Sequence, residues 1–195
     1  MEEKEQQRCG RIKDTQINDT YICSGKYRRK FDAISNSKRL SRCLYRIAKK
    51  ILKHCTGTHY EDMYWIDLDS LKIVAKETTQ IVEKQIVYSE KTKKHIKEYT
   101  NLITIHSHPD SFPPSIQDFN SNFIHNYALG IVVCHNGCIY IYNANEMINE
   151  KYYKLTVEAY IKSGYNEYGA QVAALKEIEK SFDIKFKEVT ENDGL

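Results

Sequence analysis

The hydrophobic positions of the chain switch between a helical period and a strand period, which predicts both helices and strands. The clearest helical segment covers residues 38–55, where apolar side chains recur every three or four positions on one stripe. Gly57 favours an end to this helix just beyond that segment. The stripe consists of Leu40, Leu44, Ile47, Ala48, Ile51 and Cys55.

The chain after this helix has the β-branched content and alternation of strands. MYWIDLDSLKIVAKET (63–78) predicts two strands around Asp69 and Ser70, and QIVEKQIVY (80–88) predicts a third. A charged helix is expected at about 89–99. The run TNLITIH that follows it predicts a short strand.

The second half of the chain continues this mixture. Residues 115–126 predict another helix, and ALGIVVCHNGCIYIYNA predicts a β-hairpin around Asn136 and Gly137, a strong hairpin signal. Residues 147–182 predict two helices broken near Ser163, and a strand-like FDIKFKEV follows. The order of elements predicts an α+β fold with a central mixed sheet flanked by helices.

The same pattern divides the chain into three parts. Residues 1–37 are interpreted as an N-terminal lead-in, of which residues 1–20 are expected to be flexible or loosely docked. Residues 38–145 form the central domain, and residues 146–195 form a C-terminal helical extension.

Composition places the chain among folded proteins, with 41% hydrophobic and 28% charged residues. No apolar run approaches the roughly 18 residues of a membrane span, and the polar start MEEKEQQRCG lacks a signal-peptide core. We therefore expect a cytoplasmic protein without a membrane partner. The six cysteines show no disulfide-scaffold spacing and are interpreted as buried free thiols.

The net charge of +3 conceals an asymmetry between the two ends of the chain. Residues 1–60 hold 15 of the 29 Lys and Arg but only 6 of the 26 Asp and Glu. A basic segment is one signal of nucleic-acid binding. Here the charges fall where a solvated helix face would place them, and no aromatic residues are interleaved for base stacking. A solvated face is therefore favoured over a nucleic-acid partner.

The stretch ITIHSHPDSFPPSIQDFN predicts a metal site. His106 and His108 are two apart at the end of a strand, so their side chains share one face, and imidazole is a preferred zinc ligand. Pro109 turns the chain out of the sheet. Ser115 and Asp118 fit a capping box that begins a helix, and the first-turn carboxylate faces back toward the strand end. Two histidines and one aspartate leave a fourth position for water, as in catalytic zinc sites.

HSHPDSFPPSIQD resembles the JAMM motif of the MPN-plus (JAB) metallopeptidases, H-[ST]-H-P followed by S-x-x-D. The resemblance covers roughly residues 40–145 and implies a cytidine-deaminase-like, MPN-type fold. It also implies one zinc ion per chain on His106, His108 and Asp118. The usual seven residues between the second histidine and the serine are six here, and loop length between anchored elements is cheap to change.

In that family a glutamate from an upstream strand acts on the zinc-bound water. Glu61, at the start of the first core strand, is the best candidate for this general base. Asp62 is adjacent but is expected to point to the other face, and Glu77 lies at the far end of the next strand. The resemblance further implies that Ser115 stabilises the oxyanion. The implied reaction is hydrolysis of a peptide or isopeptide bond in a protein or peptide substrate.

Other constellations carry weaker signals. Cys134, His135 and Cys138 could supply soft ligands, but the Asn-Gly turn already explains their segment. His54 and His59 are interpreted as helix-end and loop residues.

Two further functional classes stay open at this point: a non-catalytic MPN-like binding module and a RadC-like, DNA-associated protein. SGKYRRKFDAI and KHCTGTHYEDMYWID resemble segments of phage-derived proteins of low-GC bacteria, which suggests phage or mobile-element proteins as partners.

Overall fold

The computed structural model describes residues 9–191. Within this range a 3₁₀ turn at Lys13–Thr15 precedes an open sheet with helices on both faces. The helices are Asp19–Ile22 (α1), Gly25–Asp32 (α2), Lys38–Cys55 (α3), Glu90–Ile96 (α4), Ile116–Ile124 (α5), Glu150–Lys162 (α6) and Glu167–Ile178 (α7). The strands are Met63–Asp67 (β1), Lys72–Glu77 (β2), Leu102–His108 (β3), Leu129–Cys134 (β4), Ile139–Ala144 (β5) and Ile184–Glu188 (β6). None of the described helices is long and apolar enough to cross a bilayer.

The six strands lie in the order β2-β1-β3-β4-β5-β6. Only β3 and β4 run parallel, and α5 connects them, as a parallel pair requires a crossover. The other neighbours are antiparallel. The expectation of an α+β fold with a mixed sheet flanked by helices is confirmed.

Alternation along the central strands gives the sheet two different faces. Ile103 and Ile105 of β3 pack in one cluster with the apolar stripe of α3. Val132 of β4 and Tyr142 of β5 face the other way and pack with α5 and α7. The even-numbered residues of β3 therefore lie on the α5 side of the sheet, which is the side where the candidate site forms.

The third strand expected over residues 80–88 is wrong. This segment is irregular, because the Gln80 side chain binds both backbone groups of Val87 and closes a loop between them. Lys84, within the loop, has a left-handed φ of 56°, which a regular strand does not accommodate. The apolar residues Ile81 and Val82 are exposed instead of paired.

The expectation of a loosely docked start is wrong for residues 9–20, while residues 1–8 lie outside the described part. Gly10 N donates to Thr56 O at 2.8 Å, and Gly57 N donates to Thr15 O at 3.0 Å. Gly57 has a φ of 71°, and an added Cβ there would lie 2.4 Å from Gly10 O. Only glycine fits this close crossing of two backbones.

The C-terminal residues complete the same sheet. β6 pairs with β5, and Leu175 and Ile178 of α7 are fully buried in the core that also contains α5. The two predicted helices are confirmed, with the break at Ser163. The division into three domains stays a prediction, although residues of all three parts share packing clusters.

Candidate metal site

β3 presents His106 and His108 on one face of the sheet, as the sequence predicts, and this face is the α5 side. Their Nε2 atoms lie 3.1 Å apart. His108 Nδ1 donates to Phe112 O at 2.9 Å, which leaves the Nε2 lone pair free in the neutral ring. His106 Nδ1 is buried with no hydrogen-bond partner among residues 9–191, and its ring lies edge-on to Tyr142. The tautomer needed for a metal ligand is therefore set at His108 by a backbone carbonyl.

Asp118 approaches both histidines from the first turn of α5. Its Oδ1 lies 3.3 Å from His106 Nε2, and its Oδ2 lies 3.4 Å from His108 Nε2. Ser115 is the N-cap of this helix: its hydroxyl accepts from Asp118 N, and Asp118 Oδ2 accepts from Ser115 N. The predicted capping box is confirmed, and the six-residue connection brings Asp118 to the histidines.

The three side chains have the spacing of metal ligands. Tetrahedral zinc with bonds of about 2.0–2.1 Å to nitrogen and oxygen places neighbouring ligand atoms about 3.3–3.5 Å apart. The separations among His106, His108 and Asp118 are 3.1, 3.3 and 3.4 Å. The residues therefore fit a single metal ion with three protein ligands.

Glu61 lies on the same side of the sheet as the two histidines. The β1–β3 register pairs Met63 with His106, and Ser107 N donates to Asp62 O. Extending this antiparallel register places Glu61 opposite His108, and residues directly opposite share a face.

The electrostatics of Glu61 match this placement. Burial raises the pKa of the Glu61 carboxyl, and the charges of His108 and His106 partly oppose that rise. Glu61 makes no hydrogen bond within residues 9–191. A carboxylate that lies beside the ligand cluster, with a raised pKa and no hydrogen bond within the described part of the chain, is suited to accept a proton.

These residues open into a cleft of 930 Å³. Glu61, Ser115 and Asp118 line the cleft, as does the irregular segment at residues 83–88. Glu167 and Gln171 of α7 line it as well. Sequence reasoning missed this contribution of the C-terminal helix, because no local pattern relates α7 to the histidine motif.

A glycine permits the packing behind the histidines. Gly130 of β4 lies between Thr104 of β3 and Tyr142 of β5, and a Cβ at Gly130 would lie 2.1 Å from the Tyr142 ring. The Tyr142 ring therefore lies across β4 and contacts the rings of His106 and Phe119.

A second group of potential ligands, His54, Cys55 and Asp62, is buried on the α3 side. His54 Nδ1 lies 2.7 Å from Asp62 Oδ2, which is a hydrogen-bond distance and shorter than a ligand–ligand separation around zinc. The expectation that Asp62 points away from Glu61 is borne out by this contact. Sequence analysis assigned His54 only a helix-end role, since no local pattern relates it to Asp62.

The remaining candidates stay outside the site. Cys134 and His135 are buried, and His135 Nδ1 donates to Thr15 O at 2.6 Å. Glu77 is buried and accepts from Ser89 N at 2.9 Å. The expectation of buried thiols holds for Cys43, Cys55 and Cys134 but is wrong for Cys9 and Cys23, which are exposed, while Cys138 is partly exposed.

No protein-family model matches the chain, and neither the curated proteins nor the solved structures contain a match to it. The functional interpretation therefore rests on the motif and on the geometry described above.

Proposed function

We propose that this protein is a zinc-dependent metallohydrolase that cleaves peptide or isopeptide bonds through a JAMM-type site. The observation that carries the proposal is the convergence of His106, His108 and Asp118 at mutual distances of 3.1–3.4 Å. Glu61 opposite His108 supports a catalytic site over a purely structural one. The motif resemblance and the order of the surrounding elements support an MPN-type fold.

His106, His108 and Asp118 would hold the zinc ion, which would supply a Lewis acid for the water and for the scissile carbonyl. Glu61 accepts a proton from the attacking water and delivers it to the leaving nitrogen as the C–N bond breaks. Ser115 is proposed to donate a hydrogen bond from its hydroxyl to the oxyanion. Its hydroxyl lies 2.8 Å from Asp118 Oδ2, so it must turn from this carboxylate to serve the substrate.

Two alternatives have less support. A non-catalytic module would be favoured if the shortened loop held Asp118 away from the histidines, but the distances show it beside them. A DNA-associated role relies on the basic charges of residues 1–60. Those of α3 belong to the helix layer on the opposite face of the sheet from the cleft. The cytoplasmic location and the phage or mobile-element partners stay predictions.

The test is metal analysis of the full chain, purified without chelator and dialysed. We expect about one zinc per chain. His106→Ala and His108→Ala should each weaken zinc binding by about a hundredfold or more, because a ligand loss exceeds the 10–100-fold effect of an outer-sphere change. His95→Ala, at a half-exposed histidine of α4, is the control. A wild-type chain that neither carries zinc nor takes it up would refute the proposal.

The hydrolytic part is tested separately with a peptide mixture and lysine-linked isopeptides. New amino termini or free lysine side chains are detected by mass spectrometry. We expect cleavage that disappears with chelator and returns with zinc.

A further inference from the structure

Two adjacent carboxylates, Glu61 and Asp62, lie near the proposed zinc ligands, and only Glu61 lines the cleft. Glu61 and Asp62 are adjacent where the chain enters β1, and adjacent residues of an extended segment point to opposite faces. A slip of one residue between β1 and β3 would exchange them. The β1–β3 register therefore determines which of the two carboxylates lies opposite His108.

We infer that His54 is a positioning residue: by holding Asp62 on the α3 side, it places Glu61 beside the metal site. This inference rests on the proposed function. His54 lies in the last turn of α3, on the opposite side of the sheet from the cleft. Its Nδ1 donates to Asp62 Oδ2 at 2.7 Å, and the two side chains are only 10% and 2% exposed. This contact holds the Asp62 side chain on the α3 side.

Asp62 is also hydrogen-bonded to β3, the strand that contains the two histidines. Asp62 N donates to Ser107 Oγ, and Ser107 N donates to Asp62 O, both at 3.2 Å. Ser107 lies between the two histidines, so these bonds fix Asp62 opposite Ser107. The side chain of Glu61 then falls on the cleft side, where it lines the cavity with His108.

The energetics of the pair favour a selecting role over a stabilising one. A buried ion pair gains little net stability, because desolvation of both groups offsets their attraction. Breaking it is costly, since one polar group stays buried without its partner. The slipped register would move the Asp62 carboxylate to the cleft and break its contact with His54. The loss of this buried pair therefore destabilises the slipped register relative to the observed one.

The test uses the full chain loaded with Co²⁺, whose visible absorption reports the metal site, and acetohydroxamate as the probe. Acetohydroxamate chelates the metal and offers N–H and O–H protons to a neighbouring carboxylate. Glu61→Gln should weaken its binding by about tenfold, the loss of one charge-assisted hydrogen bond. Asp62→Leu should weaken it equally, with Co²⁺ still bound at one per chain.

The conservative variant separates positioning from packing. Asp62→Asn keeps an acceptor for His54 and should bind the probe within about twofold of wild type. A packing role predicts the reverse order, since leucine suits a buried site at least as well as asparagine. Asp67→Leu is the matched control, because Asp67 is a buried, hydrogen-bonded carboxylate at the other end of β1. The Asp67→Leu variant should bind the probe with wild-type affinity.

His54→Met removes the hydrogen-bond donor of the pair and should weaken probe binding as much as Asp62→Leu does. This second variant tests the inference if Asp62→Leu does not fold. Wild-type probe affinity in folded His54→Met or Asp62→Leu would overturn the inference. Loss of Co²⁺ from both would also overturn it, because the pair would then hold the ligands and not Glu61. Failure of the wild-type chain to bind Co²⁺ would instead refute the proposed function.

Discussion

Asp118 Oδ2 accepts hydrogen bonds from both the backbone nitrogen and the hydroxyl of Ser115, at 2.7 and 2.8 Å. The same carboxylate lies 3.3 and 3.4 Å from the two histidines. The group that caps α5 is thus also the group that completes the proposed metal site. Helix initiation and ligand placement are coupled, so changes at either residue should affect both stability and metal binding.

Proton binding at His108 should compete with zinc. Burial lowers the pKa of this imidazole, but the hydrogen bond and charge of Asp118, together with Glu61, raise it to about 9. Below that pH the metal-free site holds a proton that zinc must displace. We expect the apparent zinc affinity to fall about tenfold for each pH unit between pH 8 and 6, measured with chelator-buffered zinc. An affinity independent of pH would contradict this.

The same shift predicts how the metal-free protein responds to pH. The pKa of His108 is raised above its usual 6.5, so the stability it contributes is fully present below pH 6.5 and is lost as pH rises to about 9. Chelator-treated protein should therefore lose denaturant resistance across this window. Asp118→Asn should flatten the loss, because Asp118 is the main group that raises the pKa.

Glu61→Gln should keep the zinc and lose hydrolysis. Gln cannot accept the proton of the attacking water, and general-base catalysis contributes about 10²–10⁴-fold. Zinc content and peptide cleavage are measured on the same sample. Glu77→Gln is the matched control, because Glu77 is a buried carboxylate that binds Ser89 N. Glu77→Gln should keep both zinc and activity, and wild-type activity in Glu61→Gln would show that Glu61 is not the base.

The elements with a strong local signal were predictable from sequence. α3 was predicted with its observed bounds, because a long apolar stripe with helical periodicity indicates a helix that packs this stripe against the core. The histidines of β3 and the capping box of α5 were predictable since strand alternation and capping act over a few residues.

Features that depend on distant contacts were not predictable. Residues 80–88 have strand-like composition, yet the Gln80 side chain satisfies the backbone of Val87 and closes a loop. The contact of His54 with Asp62 and the position of α7 beside the cleft depend on how separate elements pack. No periodicity or short motif encodes such placements.

Gly130→Ala should displace the Tyr142 ring, which packs against His106, and lower the stability of the protein. The added Cβ would lie 2.1 Å from the Tyr142 ring, so the ring must move from its position beside His106. Overpacking of this kind costs about 1–3 kcal/mol of unfolding free energy, measured by denaturant titration. Gly25→Ala in α2 is the control: the nearest atom to its added Cβ is 3.8 Å away, so it should not destabilise. Equal stability of the two variants would contradict the close packing.

Ser115 has two roles that different substitutions separate. As the N-cap of α5, its replacement by Ala should cost about 1 kcal/mol of stability, whereas Gly, a tolerable cap, should cost only a few tenths. As an oxyanion donor, its loss in either variant should lower turnover by about a hundredfold or more. We expect Ser115→Gly to fold and to hold zinc, with affinity reduced by up to about tenfold because Asp118 loses one donor.

Ser37→Gly provides the control for the cap alone, since Ser37 caps α3 through a hydrogen bond to Leu40 N at 3.3 Å. It should show the same small loss of stability with unchanged zinc affinity and turnover. Unfolding free energy, zinc affinity and peptide cleavage are measured for all three variants. Turnover near the wild-type value in Ser115→Gly would reduce Ser115 to a helix cap that orients Asp118, and the oxyanion would then depend on the metal alone.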